Sequence, residues 1–241
     1  MKKIISFLLF TLLAACAKEP PFDPVAKFKD AEDKMRRERY EDARKDYQEI
    51  QEKAPDRSYD ADIMLRIADT YFGDEKYSEA QVEYASFLNF HPVHRDAPYA
   101  QYQIGMCSYN DLTTIDRDPD VVRTALKEFG KLLEKYPNSP YELQTRHTIA
   151  LLKDRLSEYE LYVGRFYYKK GSYQSAVGRL DKLLKDYPGS PAEKDALYYS
   201  GRSHMELGEK AQALGAFEAL AAKYPSMADD AKSYIARLKK P

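Results

Sequence analysis

Groups able to attack, exchange a proton or hold a metal are dispersed along this chain rather than gathered. The four histidines, His91, His94, His147 and His204, form no His-Glu-x-x-His spacing, and none stands beside a cysteine pair. His91-Pro92-Val93-His94 is the one close pair, and no third ligand is near it in sequence, so solvated loop histidines are expected there rather than a metal site. There is no glycine-rich phosphate loop and no Gly-x-Ser-x-Gly elbow. The 39 acidic residues are spread through helical sequence, which leaves a catalytic carboxylate pair unsupported. Cys107, beside Met106 on an expected helix, suits a small buried hydrophobe. No enzyme, metal or cofactor is therefore expected. With 32% charged residues and a formal net charge of −1, the chain also lacks the basic stripe that a nucleic-acid partner would need.

Cys16 carries a different chemistry. Lys2-Lys3, the apolar run from Ile4 to Leu13 and the small pair Ala14-Ala15 form a signal peptide over 1–15. Leu13-Ala14-Ala15-Cys16 resembles the lipobox of bacterial lipoproteins, in which the cysteine receives diacylglycerol on sulfur, becomes the mature N-terminus and is N-acylated. The apolar run is too short to span a bilayer as a helix, so anchoring passes to lipid, and three acyl chains hold firmly. Ala17 is not the aspartate that resembles an inner-membrane retention signal, which favours the outer membrane, periplasmic face. Residues 16–27, with Pro20, Pro21 and Pro24, are expected to form a lipidated cysteine and an extended tether reaching roughly 30 to 40 Å.

The elements beyond the tether follow one grammar. Anchor alanines at Ala43, Ala80, Ala125, Ala176 and Ala213 are each followed at +4 by Tyr47, Tyr84, Phe129, Leu180 and Phe217. At +7 stand Ile50, Phe87, Leu132, Leu183 and Leu220, and at +12 Pro55, Pro92, Pro137, Pro188 and Pro225. Apolar residues at 0, +4 and +7 share one helix face, and the proline ends the helix. Twelve residues upstream of four anchors stand Ala31, Ala68, Gly164 and Gly201, with Gly105 in that role for the third unit once an insertion is allowed. A small residue in a first helix is thus expected to meet the anchor alanine of a second. This resembles the tetratricopeptide (TPR) repeat, with units longer than its usual ~34 residues. The fold expected is all-α: a TPR-like superhelix of five helix-turn-helix repeats plus a C-terminal capping helix. Repeats 1–3 occupy 28–138; repeats 4–5 and the cap occupy 139–241.

Ser139-Pro140-Tyr141-Glu142 and Ser190-Pro191-Ala192-Glu193 each offer a serine N-cap, a proline at the first helical position and a glutamate able to reach back to the cap. The stretch from Ser108 to Arg117 is a polar insertion where a tight turn is expected, of the kind that is tolerated or functional. From Pro140 to Lys170 only Gly164 interrupts, predicting a helix of about 28 residues, close to 40 Å, that joins two half-arrays. In such an array the first helix of each pair lines the concave side. The inward register there holds Phe28, Lys29, Glu32, Arg36, Arg66, Asp69, Tyr102, Gln103 and Met106 in the first three units, then Tyr162, Arg165, Tyr199 and Arg202. Arginine pairs carboxylates bidentately and tyrosine offers contact area at low entropic cost, so the groove suits an extended peptide. Arg36 and Arg66 are the candidates for a terminal carboxylate.

Lys153-Asp154-Arg155-Leu156, Tyr159-Glu160, Val163, Phe166-Tyr167-Tyr168, Tyr173, Ala176, Arg179 and Tyr187-Pro188 together resemble the central signature of the BamD family of outer-membrane protein assembly lipoproteins. Tyr136-Pro137-Asn138-Ser139-x-Tyr141 and Asp116-Arg117-Asp118-Pro119 match further motifs of that family. The resemblance implies a non-enzymatic adaptor of the β-barrel assembly (Bam) complex, alongside other Bam lipoproteins. Its C-terminal repeats would hold the POTRA region of BamA, and its N-terminal groove, through Phe28, Arg36, Arg66, Tyr102 and Gln103, would receive segments of unfolded outer-membrane β-barrel proteins. Arg179 falls on the family's Ala-x-x-Arg position and, with Arg165 and Tyr162, is the candidate BamA contact. A TPR pilotin-like lipoprotein for secretin or pilus assembly would share the lipobox and the repeats but not the central signature. A peptidoglycan-cleaving lipoprotein would need a catalytic domain that no residues remain to build.

Overall fold

A computed structural model describes residues 22–54, 60–112 and 119–240. Cys16, the signal peptide, the tether up to residue 21, the Asp116-Arg117-Asp118 part of the third-unit motif and residues 113–117 of the insertion lie outside the described residues. The described chain is helical throughout: α1 (Pro24–Arg36), α2 (Tyr40–Lys53), α3 (Asp60–Gly73), α4 (Tyr77–Phe90), α5 (Ala97–Asn110) and α6 (Pro119–Lys135) form three antiparallel pairs. The long α7 (Glu142–Lys169) is followed by α8 (Tyr173–Asp186), α9 (Glu193–Glu206), α10 (Lys210–Lys223), a 3-10 turn at Pro225–Met227 and α11 (Ala228–Leu238).

The anchor grammar is the core. All five anchor alanines and all five +4 side chains are fully buried, and so are the +7 residues. The glycines of the last three first helices work one step away from expectation, because each faces the +4 side chain rather than the anchor. A Cβ built on Gly105 would lie 2.6 Å from the Phe129 ring, one on Gly164 2.7 Å from Leu180, and one on Gly201 2.8 Å from the Phe217 ring. Burying these side chains against bare backbone, at about 1.5 to 3 kcal/mol each, drives the pairing of helices more than any intrinsic helix propensity does.

Turns within the pairs reverse the chain through one left-handed residue, Glu38 (φ 58°), Glu75 (φ 58°), Gly171 (φ 73°) and Gly208 (φ 76°). Around each, the last carbonyls of the first helix are satisfied from beyond its end; Arg39 N–H reaches the Lys34 carbonyl at 2.9 Å and Ser172 N–H the Tyr167 carbonyl at 3.0 Å.

Three expectations are corrected. The tether does not extend to residue 27, because Pro24 opens α1: Asp23 Oδ1 accepts the amides of Val25 and Ala26 at 3.0 and 3.1 Å, and proline is well suited to the first helical position. Ser139 and Ser190 are not N-caps. Their hydroxyls are buried and take no helix amide, α7 and α9 begin at Glu142 and Glu193, and those glutamates accept the amides of Asn138 (2.9 Å) and Gly189 (3.3 Å) instead. Asn138 and Gly189 have positive φ, and this turn carries the chain past the serine before the helix starts. The third-unit insertion is shorter than its sequence suggests, since Ser108, Tyr109 and Asn110 complete α5.

The 28-residue α7 is present as expected. Its first half packs Leu152 and Leu156 with Val122, Phe129 and Leu132 of α6, and its second half lays Gly164 on Leu180 of α8, so one rigid element belongs to both halves of the array. At the far end Ala231 is fully buried and Tyr234 stacks on Phe217 with ring centroids 4.6 Å apart, closing the last repeat. No described helix is long and apolar enough to cross a membrane.

Candidate functional site

The first helices α1, α3 and α5 enclose a cavity of about 390 Å³ lined by Phe28, Leu65, Arg66, Asp69, Tyr99 and, from the loop before α7, Tyr141, with Asp62, Arg95 and Asp96 at its rim. Its floor is a continuous hydrogen-bonded chain. Tyr47 donates to Glu32 Oε1 at 2.6 Å, Arg66 Nε reaches the same oxygen at 2.9 Å, and Arg66 Nη1 reaches Asp69 Oδ2 at 3.2 Å. Asp69 Oδ1 then accepts the hydroxyls of Tyr84 (2.6 Å) and Tyr99 (2.7 Å), and Gln103 donates to the Tyr99 oxygen at 3.0 Å. Tyr47 and Tyr84 are +4 residues. Their rings fill the repeat core while their hydroxyls emerge on the concave side, where the residue after each small position, Glu32 or Asp69, receives them.

Burial pushes the Asp69 carboxyl above its usual value, against the opposing hydrogen bonds of Tyr84, Tyr99 and Arg66. Burial and the neighbouring carboxylates push the Tyr47, Tyr84 and Tyr99 hydroxyls well above theirs, so all three remain donors at any physiological pH. One wall is aromatic: Tyr141 stacks on Tyr102 at 5.1 Å and tilts against Tyr99 at 5.9 Å.

Of the groove residues expected from sequence, Phe28 and Arg66 line this cavity. Tyr102 is buried behind Tyr141, and Gln103 orients Tyr99. Arg36 is not with them; it is exposed at the end of α1 and paired with Asp33 one turn earlier. Arg66 is not a waiting cation either, being held between Glu32 and Asp69. Asp62, Arg95, Asp96, Tyr99 and Tyr141 were missed. Asp62 and Tyr99 each lie near a recognised residue on the same helix, which was a usable signal, whereas Arg95, Asp96 and Tyr141 come from loops whose position depends on how repeats stack.

The C-terminal candidates fall on two surfaces. Tyr162 and Arg165 border a cavity of about 370 Å³ along α7, with Phe166 and Lys169 beside them. Tyr162 and Phe166 are 55% and 50% exposed, and the Arg165 guanidinium sits 5.3 Å from the Tyr199 ring centroid. Arg179 is elsewhere. It donates to Glu160 Oε2 at 3.1 Å, while Lys182 donates to Oε1 at 2.5 Å and Arg123 of α6 stands 4.0 Å away. Glu160 is 1% exposed and the three cations are about two-fifths exposed, so a buried carboxylate holds a basic surface cluster in place. Residues two apart in a helix point about 200° apart, which sets Tyr162 and Glu160 on opposite sides of α7.

His91 and His94 pack near Phe87, His204 bonds Glu209 at 2.6 Å, and no group of three metal-ligating side chains occurs among the described residues. Cys107 is buried, with its thiol pushed up to about 12.

The family model described as YfiO, outer membrane lipoprotein, matches residues 22–215. The chain is 26% identical to the outer membrane protein assembly factor BamD of Neisseria meningitidis serogroup A, over 93% of this chain and 92% of that protein. It is likewise 26% identical to the outer membrane protein assembly factor BamD of Vibrio cholerae serotype O1, over 83% of this chain and 89% of that one. Among solved structures, the TPR2AB domain of yeast Sti1 in its pHSP90 complex aligns with a TM-score of 0.46 and 12% identity, covering 90% of this chain and 98% of that one.

Proposed function

Because the chain belongs to the YfiO family of outer membrane lipoproteins, we propose that it is a BamD-type assembly factor: a non-enzymatic scaffold, lipid-anchored through Cys16 at the periplasmic face of the outer membrane. Its C-terminal repeats grip the POTRA region of BamA, and its N-terminal cavity receives segments of unfolded outer-membrane β-barrel proteins. Other Bam lipoproteins complete the assembly. The observation that carries the reading is the pairing of two unlike surfaces on one array, an aromatic, acid-rich cavity between α1, α3 and α5 and a basic cluster on α6, α7 and α8, joined by the 28-residue α7. A scaffold needs no chemistry of its own here, because insertion of a barrel is driven by strand pairing and apolar burial in the bilayer.

Arg179 is the proposed BamA contact; the reversal Arg179→Glu would set a second carboxylate beside buried Glu160, so Arg179→Ala is the cleaner probe. Calorimetric titration of the chain beginning at Ala17 with the POTRA region of BamA from the same source should give saturable one-to-one binding, weakened by Arg179→Ala. Absence of binding, with circular dichroism showing folded helices, would overturn the reading and favour a pilotin-like lipoprotein.

A further inference from the structure

The N-terminal cavity has the wrong charge for a chain terminus. Three carboxylates (Asp62, Asp69 and Asp96) and two guanidinium groups (Arg66 and Arg95) line it, and Glu32 stands on the far side of Arg66, so anions outnumber cations four to two. Both arginines are already answered. Arg66 bonds Glu32 and Asp69, and Arg95 Nε bonds Asp96 at 3.2 Å. An incoming carboxylate would have to share a guanidinium with Glu32, Asp69 or Asp96 and would meet that acid at close range, a like-charge contact that disfavours it. Asp62 is in the opposite condition, because it makes no ion pair or hydrogen bond with any described residue while lining the cavity. Beside the acids stand Tyr99, whose hydroxyl bonds Asp69 at 2.7 Å, and Tyr141, tilted against the Tyr99 ring at 5.9 Å, so the negative side adjoins the aromatic wall.

Resting on the reading that this cavity takes unfolded chain, we infer that its ligand is an internal segment carrying a lysine or arginine close to an aromatic side chain, not a free terminal carboxylate. The aromatic ring packs on Tyr99 and Tyr141, and the cation is received by Asp62. Backbone amides of an extended segment would find acceptors along the same acidic rim.

The test uses the full chain in non-ionic detergent and titration calorimetry with one decapeptide containing two aromatic residues and a single lysine, C-terminally amidated. Variants carry glutamine or glutamate in place of the lysine, or a free C-terminal acid. For a half-exposed pair the lysine peptide should bind about two- to fivefold tighter than the glutamine peptide, and the glutamate peptide weakest. Asp62→Asn should erase the preference for lysine over glutamine. A glutamate peptide that binds as well as the lysine peptide, or a free acid that binds tighter than the amide, would overturn the charge assignment alone. If none of the peptides binds, the groove reading itself falls with it.

Discussion

Arg179 and Lys182 each hold one oxygen of Glu160, and this arrangement dictates an unusual pattern of mutational costs. Removing either cation alone leaves the other in place, and both are 41% exposed, so Arg179→Ala or Lys182→Ala should each cost only about 0.5 to 1 kcal/mol, the range for solvent-screened pairs. Removing both strands a carboxylate that is 1% exposed, with only Arg123 left at 4.0 Å. Breaking a buried pair costs about 3 to 5 kcal/mol because the remaining charge is uncompensated, and Arg123 moves the expectation to the lower end, about 3 kcal/mol. The double variant should therefore lose roughly 1 to 2 kcal/mol more than the two singles together. Glu160→Ala, which leaves exposed cations and no buried anion, should cost less than the double variant. Urea unfolding followed by far-ultraviolet circular dichroism reads these differences as midpoint shifts, and amide exchange in α7 and α8 localises them. Strictly additive losses would refute the reasoning, because they would mean that Glu160 is solvated and each cation acts alone.

Other outcomes follow from single positions. Glu75 holds φ 58° at the turn where Gly171 and Gly208 stand in later repeats, so Glu75→Gly should raise stability by about 0.5 to 1 kcal/mol, seen as a higher urea midpoint. Gly105→Ala would press a Cβ to 2.6 Å from the fully buried Phe129 ring and should lower stability by about 1 to 3 kcal/mol, whereas Gly130→Ala, with open space around it, should not. Burial alone would raise the Glu193 carboxyl, but the Lys223 and Tyr224 hydrogen bonds at 2.6 and 2.7 Å more than offset it and hold it below the usual range. Its contribution is therefore fully present above about pH 4.3 and lost as pH falls through the folded value, so Glu193→Gln should flatten the acid side of the stability curve. Equal acid sensitivity in both proteins would contradict that.

The repeat core was legible because a helix writes its buried face into the sequence every three to four residues: Ala80, Tyr84 and Phe87 are recognisable before any neighbour is known. The partners of the groove side chains were not, because Arg66 meets Glu32 across two repeats and Arg95 and Asp96 enter from a loop, contacts set by the rotation between units. A register placed Arg36 beside Arg66 on the concave side, but Asp33, one turn away, claims it first. Proline misled at residue 24 for a local reason, since its missing amide is harmless at a helix start and Asp23 supplies the cap. Arg179 was readable as a position but not as a geometry; only the packing of α8 on α7 shows that a buried acid aims it.

The two proposed binding surfaces lie on separate parts of one array, the cavity on α1, α3 and α5 and the basic cluster on α6, α7 and α8. The most direct test is titration of the POTRA region of BamA into the protein with its N-terminal cavity empty, then saturated with the lysine-containing peptide. One-to-one binding in both titrations, with affinities within about twofold, is the expected result, since uncoupled sites leave each other's free energy unchanged. Mutual exclusion, or binding of the POTRA region that is abolished by Asp62→Asn and untouched by Arg179→Ala, would contradict the division of labour between the two halves.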